Sequence, residues 1–113
     1  MNNALTTMRG DLKSFDFHGM PIRLVRDGHG EPWFVAADIA KALDHSNASA
    51  MCAVCKEKHR SNLSLDRGGT VLVISEPGLN KVLMRSNKPA AEPFQDWLAE
   101  EVLPAIRRTE VGS

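Results

Sequence analysis

A stretch near the C-terminus, residues 86–108, constrains the fold more than any other part of the chain. Its apolar side chains recur every three or four residues, which places them on one side of an α-helix; they are Phe94, Trp97, Leu98, Val102, Ala105 and Ile106. Because aromatic rings bury much apolar area, we expect Phe94 and Trp97 to anchor the core. Pro104 has no N–H and clashes with the preceding turn, so it predicts a kink or a new short turn.

Alternating and apolar runs elsewhere predict β-strands. Lys13–His18 and Pro21–Arg26 read as a hairpin, and Trp33–Val35 as a short third strand of an antiparallel meander. Asn62–Leu65 and Thr70–Ile74 are two further strands joined by a glycine-containing turn. The last of these is apolar throughout, so we expect it to be central in the sheet.

Helical segments separate these strands. Ala36–Leu43 predicts a short helix, and a second helix is expected from Asn47 to about Lys58, capped by Ser46 or Asn47. The two outline a helix-turn-helix, an outline that many helical hairpins without DNA-binding activity share. A further helix begins at Ser75. The fold class is therefore α+β, with small antiparallel β-sheet elements, helical hairpins and a long C-terminal amphipathic helix.

Length and composition bound the domain organisation. The chain has 113 residues, which supports one domain. We expect a flexible N-terminal arm over 1–12, the domain over 13–109 and a frayed tail over 110–113. No run approaches the roughly 20 apolar residues that span a bilayer, so we expect no membrane partner and a cytoplasmic location. Lys and Arg balance Asp and Glu at 14 each, which argues against a strong global field for nucleic acid.

The end of the predicted second helix is basic. Cations of this kind can bind the phosphates of nucleic acid, and nearby polar side chains can add contacts. The candidate nucleic-acid-binding residues are His45, Asn47, Ser49, Lys56, Lys58, His59, Arg60 and Arg67. The alternative is a solvated helix end, whose cations complement the negative end of the helix dipole.

Two cysteines on the same predicted helix suggest a second kind of site. Cys52, Cys55 and His59 would share one helix face, with His45 as a fourth zinc ligand. The favoured interpretation is that both cysteines are small apolar residues on a buried face beside Met51, so we expect no metal and no cofactor. The four histidines are scattered, and the sequence has no nucleophile elbow or phosphate-binding glycine loop. We therefore do not expect an enzyme.

Four strings occur in an order that resembles a known family. They are EPWFVAADIAKALDHSN at 31–47, SEPGLNKVLMRS at 75–86, KPAAEPFQDW at 88–97 and FQDWLAEEVLPAIRR at 94–108. Over residues 15–109 the chain resembles the Bro-N domain, the N-terminal domain of the BRO family of viral proteins and of many phage antirepressors. The resemblance implies a compact α+β domain that binds DNA or antagonises a repressor. Asp96 stands where the family is often basic, which favours a protein partner.

The resemblance leads to two functional hypotheses. The first is a phage or prophage antirepressor-like regulator, acting in the bacterial cytoplasm as a homodimer and inactivating a transcriptional repressor by protein–protein contact. The candidate partner-binding residues are Met51, Met84, Arg107 and Arg108. The alternative is a transcriptional regulator that binds DNA directly, through the basic helix expected around Asn47–Arg60.

Overall fold

The computed structural model describes residues 12–66 and 68–112, and the side chains among these as far as Arg107. Most of the expected N-terminal arm, Arg67 and the side chain of Arg108 therefore lie outside the described residues.

Five strands form one antiparallel sheet in the order β1-β2-β3-β5-β4. They are β1 (Lys13–Phe17), β2 (Met20–Arg26), β3 (Pro32–Val35), β4 (Arg60–Ser64) and β5 (Thr70–Ser75). The predicted meander of the first three strands is confirmed. The apolar strand β5 lies inside the sheet between β3 and β4, as its sequence predicted, because both of its faces are covered by apolar side chains.

The first hairpin turns on two residues. Phe17 pairs with Met20, and both intervening residues have positive φ, 51° at His18 and 87° at Gly19. Such turns match the right-handed twist of the strands. The Asp16 carboxylate accepts a hydrogen bond from the Gly19 N–H at 3.0 Å, which holds the turn closed.

Five α-helices lie among the described residues: α1 (Ala36–Leu43), α2 (Ala48–Met51), α3 (Glu76–Arg85), α4 (Ala91–Trp97) and α5 (Leu103–Gly112). The predicted positions of α1 and of the start of α3 are confirmed. None of the helices in the described ranges is long and apolar enough to cross a membrane.

The predicted second helix is wrong beyond its first turn. Asn47 caps it as expected, with its side-chain oxygen 3.0 Å from the Ala50 N–H, but α2 ends at Met51. A 3₁₀ turn over Cys52–Val54 follows, and Cys55 is extended, with φ −82° and ψ 144°. This conformation turns the Cys55 thiol into the core, where it donates to the Gly78 carbonyl at 3.3 Å. Tertiary packing therefore overrides the local helical pattern.

The C-terminal helix is continuous but changes its winding. A π-helical turn, Leu98–Val102, joins α4 to α5, and the Leu103 N–H donates to the carbonyl of Leu98 five residues back. The wider turn accommodates Pro104, whose ring would crowd a regular helix and which has no N–H to donate. The expected disturbance at Pro104 thus takes the form of a π turn rather than a break.

The main core lies between one face of the sheet and the helices. Phe94 is fully buried, Trp97 is nearly so, and their rings meet that of Phe17 with centroids 4.9 and 5.2 Å apart. This confirms the two aromatics as anchors of the core. The opposite face of the sheet carries a smaller cluster, formed by Val25, Val35, Leu63 and Val73.

A salt bridge fixes α1 on the sheet. The Asp38 carboxylate accepts from the Arg23 backbone N–H at 2.9 Å, and from its guanidinium at 2.8 and 3.0 Å. The Arg23 N–H lies beyond the last β2–β3 pair, Leu24 with Phe34, so the carboxylate replaces a missing strand partner. The loop that follows α1 is thereby held in place.

Candidate nucleic-acid interface

The basic segment predicted from the sequence lies in an irregular stretch rather than on a helix. Lys56 and Lys58 are exposed on either side of Glu57, in and before a 3₁₀ turn over Glu57–His59, and Arg60 begins β4. Burial lowers the pKa of His59, and the positive charges of Lys58 and Lys56 lower it further. These cations are therefore close enough to act on one ring.

The ring of His59 ties this segment to helix α3. Its Nδ1 lies 2.8 Å from Ser75 Oγ, and the same hydroxyl caps α3 by accepting the Gly78 N–H at 3.3 Å. Gly78 allows the close approach, because a Cβ there would lie 3.1 Å from the Cβ of His59 and 3.4 Å from the sulfur of Cys55. The basic segment and the start of α3 consequently form one packed unit.

Helix α3 adds two cations that sequence reasoning did not include. Burial raises the pKa of Cys55, whereas the charges of Arg60 and Lys81 act to lower it, so Lys81 faces the same loop. Arg85, one turn further along α3, lines a groove together with His45 and Val54. The i, i+4 spacing predicts that Lys81 and Arg85 lie on one side of a helix. It does not predict that this helix packs against residues 55–60.

We call Lys56, Lys58, Arg60, Lys81 and Arg85 the basic strip. None of the five makes an ion pair with another described residue, whereas Arg23 binds Asp38 at 2.8 Å and Arg107 binds Glu76 at 3.7 Å. The Nε of Arg60 is buried and has no hydrogen-bond partner in the described part of the chain. Among the described residues, no carboxylate therefore forms a direct ion pair with the strip.

The zero net charge conceals a segregation of charges. Glu92, Asp96 and Glu100 recur every four residues and are all exposed on α4 and the π turn, forming an acidic stripe. These three residues and Glu101 carry four negative charges, which offset four of the five positive charges of the strip in the net charge of the chain. A neutral sum is therefore compatible with a locally positive surface.

The other residues predicted to bind nucleic acid are spread over several segments. His45 is partly exposed and reaches the strip through the groove that it shares with Arg85. Asn47 is exposed but its side-chain oxygen caps α2, and Ser49 is exposed on that short helix. Arg67 lies outside the described residues.

Of the candidate partner-binding residues, Met51 is mostly buried. Its side chain is 7% exposed and belongs to the main core, where α2 packs against α1. Met84 is 76% exposed on α3. Arg107 is exposed and pairs with Glu76, while the side chain of Arg108 is outside the described set.

The cysteines are buried free thiols, as the apolar interpretation predicted. The pKa of Cys52 is raised to about 11, chiefly by burial. The residues of the alternative zinc set have other partners, since Cys55 donates to Gly78 and His59 contacts Ser75. Within 12–66 and 68–112, no three His, Cys, Asp or Glu side chains lie together in an arrangement that could hold a metal ion.

Comparison with known proteins adds a family match. The family model described as the BRO family, N-terminal domain, matches residues 21–104. A Haemophilus influenzae protein is 36% identical over 111 residues, covering 91% of this chain and 54% of that protein. The putative Bro-N domain-containing protein 019R of Invertebrate iridescent virus 3 is 37% identical over 65 residues, covering 58% of this chain and 16% of that protein.

A second viral relative matches a larger share of the chain. The Bro-N domain-containing protein J of Lymantria dispar multicapsid nuclear polyhedrosis virus is 34% identical over 110 residues, covering 75% of this chain and 26% of that protein. The chain therefore spans about half the length of the Haemophilus protein and a smaller share of the two viral ones. No solved structure matches the chain.

Proposed function

Because the chain belongs to the BRO family, whose N-terminal domain it matches over residues 21–104, we propose that it is a viral or phage type of regulator that binds DNA through the basic strip. The observation that carries this proposal is the packing of residues 55–60 against the start of α3, through His59, Ser75 and Gly78, which places Arg60 and Lys81 near the same thiol, that of Cys55. Convergent Lys and Arg side chains are what phosphate binding requires, since each contact releases counterions from the nucleic acid.

The geometry changes the order of the two hypotheses drawn from the sequence. The antirepressor hypothesis needs an exposed apolar or mixed patch, and one of its two methionines, Met51, is buried. The DNA-binding hypothesis requires several cations on one surface, and helix α3 adds Lys81 and Arg85 to the cations that the sequence predicted. The proposed action is occupation of an operator or promoter, by phosphate contacts along the strip.

Single charge removals test this function. Lys58→Ala and Lys81→Ala should each weaken binding to any duplex by about eightfold at 0.1 M salt and make the dependence on salt shallower by about one unit. Lys13→Ala is the matched control for Lys58→Ala, because both lysines are exposed and Lys13 lies on the edge strand β1. If all three variants bind alike, the strip is not the DNA-binding surface.

One observation supports the antirepressor as a second function. Met84 is 76% exposed on α3, and the nearby groove has an apolar floor formed by Met51, Val54 and Val82. Exposed apolar side chains beside such a groove are typical of protein–protein contacts. Under this alternative, tagged protein retains a repressor from nuclease-treated host lysate at high salt, and Met84→Ala reduces that retention. Loss of the repressor upon nuclease treatment would contradict it.

A further inference from the structure

Helix α2 is too short to read DNA in the way that the sequence suggested. It has four residues, hence little more than one turn and a length of about 6 Å, which leaves few side chains to align with base pairs along the major groove. Helix α3 has ten residues and is about 15 Å long, and its N-terminal half is packed against the basic segment. Among these two helices, α3 therefore has the dimensions of a helix that enters the groove.

The outward side of α3 carries the chemistry. Gly78, Leu79, Val82 and Leu83 are buried, which turns Lys81, Met84 and Arg85 to one outer arc of about 100°. Among the described residues, Met84 is the one large hydrophobic side chain that is exposed. An exposed methionine beside two cations suits a surface that is covered when a ligand binds.

The loop after α3 presents an asparagine from a fixed backbone. The Ser86 N–H donates to the Leu83 carbonyl at 3.3 Å, and the Lys88 N–H donates to Ser86 Oγ at 3.1 Å. Asn87, held between these two hydrogen bonds, is exposed and lines the same groove as Arg85. A side chain on such a support can make directional contacts, because little freedom is lost on binding.

We propose that α3 is the DNA-reading helix and that Met84, Arg85 and Asn87 contact base edges in the major groove. This inference rests on the proposed DNA binding. Arg binds the two acceptors of guanine, Asn pairs with adenine, and an apolar side chain contacts the thymine methyl group. Lys56, Lys58 and Arg60 then bind phosphates at the edge of the groove beside the start of α3. The strip cations other than Arg85 would supply affinity, and the end of α3 would supply sequence preference.

The test is selection from a randomised duplex DNA library at one salt concentration, followed by affinity measurements on the selected and on scrambled sites. Wild-type protein should enrich a short motif. Arg85→Ala and Asn87→Ala should each lower the preference at particular base positions by roughly 5- to 100-fold. Lys81→Ala is the internal control on the same helix, and it should weaken selected and scrambled sites equally. Thermal melting confirms that these variants of exposed residues remain folded.

The outcomes separate this inference from the function on which it rests. If wild-type protein binds duplexes with a steep salt dependence but equally at every sequence, the reading role of α3 is overturned while DNA binding stands. The same conclusion follows if Arg85→Ala and Asn87→Ala keep the wild-type motif. If no duplex is bound even at low salt, the proposed function itself is refuted.

Discussion

The hydroxyl of Ser75 joins the basic segment to α3, and its removal should destabilise the protein measurably. Ser75 is 6% exposed, so water cannot replace its two hydrogen bonds, from Gly78 N–H at 3.3 Å and with His59 Nδ1 at 2.8 Å. Loss of a helix cap costs about 1 kcal/mol, and loss of the second bond about 0.5–1.5 kcal/mol. Ser75→Ala should therefore lower the free energy of unfolding by about 1.5–2.5 kcal/mol. In a domain of this size that corresponds to a fall in Tm of roughly 6–10 °C.

Urea unfolding followed by circular dichroism measures this effect, and a double-mutant cycle isolates the contact. Ser75→Ala, His59→Ala and the double variant should show a coupling of about 0.5–1.5 kcal/mol, because the two side chains share one hydrogen bond. Ser64→Ala is the control on the edge strand β4, where the exposed hydroxyl should matter by less than about 0.5 kcal/mol. A change at Ser75 no larger than this control, or zero coupling to His59, would refute the reasoning.

Phe94, His59 and Cys52 supply three further predictions. Phe94→Ala should lower the free energy of unfolding by about 3–5 kcal/mol in urea, because the ring is fully buried; a loss below about 1 kcal/mol would contradict its anchoring role. The pKa of His59 is lowered from 6.5, so the unfolded chain binds this proton more readily, and the His59 contribution to stability is lost as pH falls below about 6.5. Wild-type protein should therefore lose more stability than His59→Gln between pH 7.5 and 5.5; equal losses would contradict it. The Cys52 thiol, with a pKa of about 11, should react with a thiol reagent at pH 8 only after unfolding, and fast reaction of the native protein would show otherwise.

Local patterns predicted the elements whose causes are local. Alternation and turn chemistry placed the first three strands, and the spacing of Phe94 and Trp97 indicated both the C-terminal helix and the anchors of the core. A helix was predicted to begin at Ser75, and the Ser75 hydroxyl caps that helix within its first turn. Each of these signals depends on residues within about ten positions of one another, so the sequence alone is enough to identify them.

The errors arose where distant residues decide the structure. The helix expected over residues 47–58 stops early because Cys55 turns toward Gly78, 23 residues further along the chain. The same packing brings Lys81 near Cys55 and Arg85 beside Val54, which no local pattern indicates. Met51 seemed a candidate for exposure because the sequence does not show which side of a one-turn helix faces the core. The site therefore required the fold, although several of its cations were identified beforehand.

The central claim is that the basic strip binds DNA phosphates, and the most direct test is the salt dependence of duplex binding by wild-type protein. Fluorescence anisotropy with a labelled duplex gives the affinity at a series of salt concentrations between 50 and 200 mM. With Arg85 at a base edge, the other four strip cations predict a slope of log affinity against log salt of about −3.6, which is a loss of roughly 150-fold over this range. A slope shallower than about −1, or no binding at the lowest salt concentration, would contradict the account.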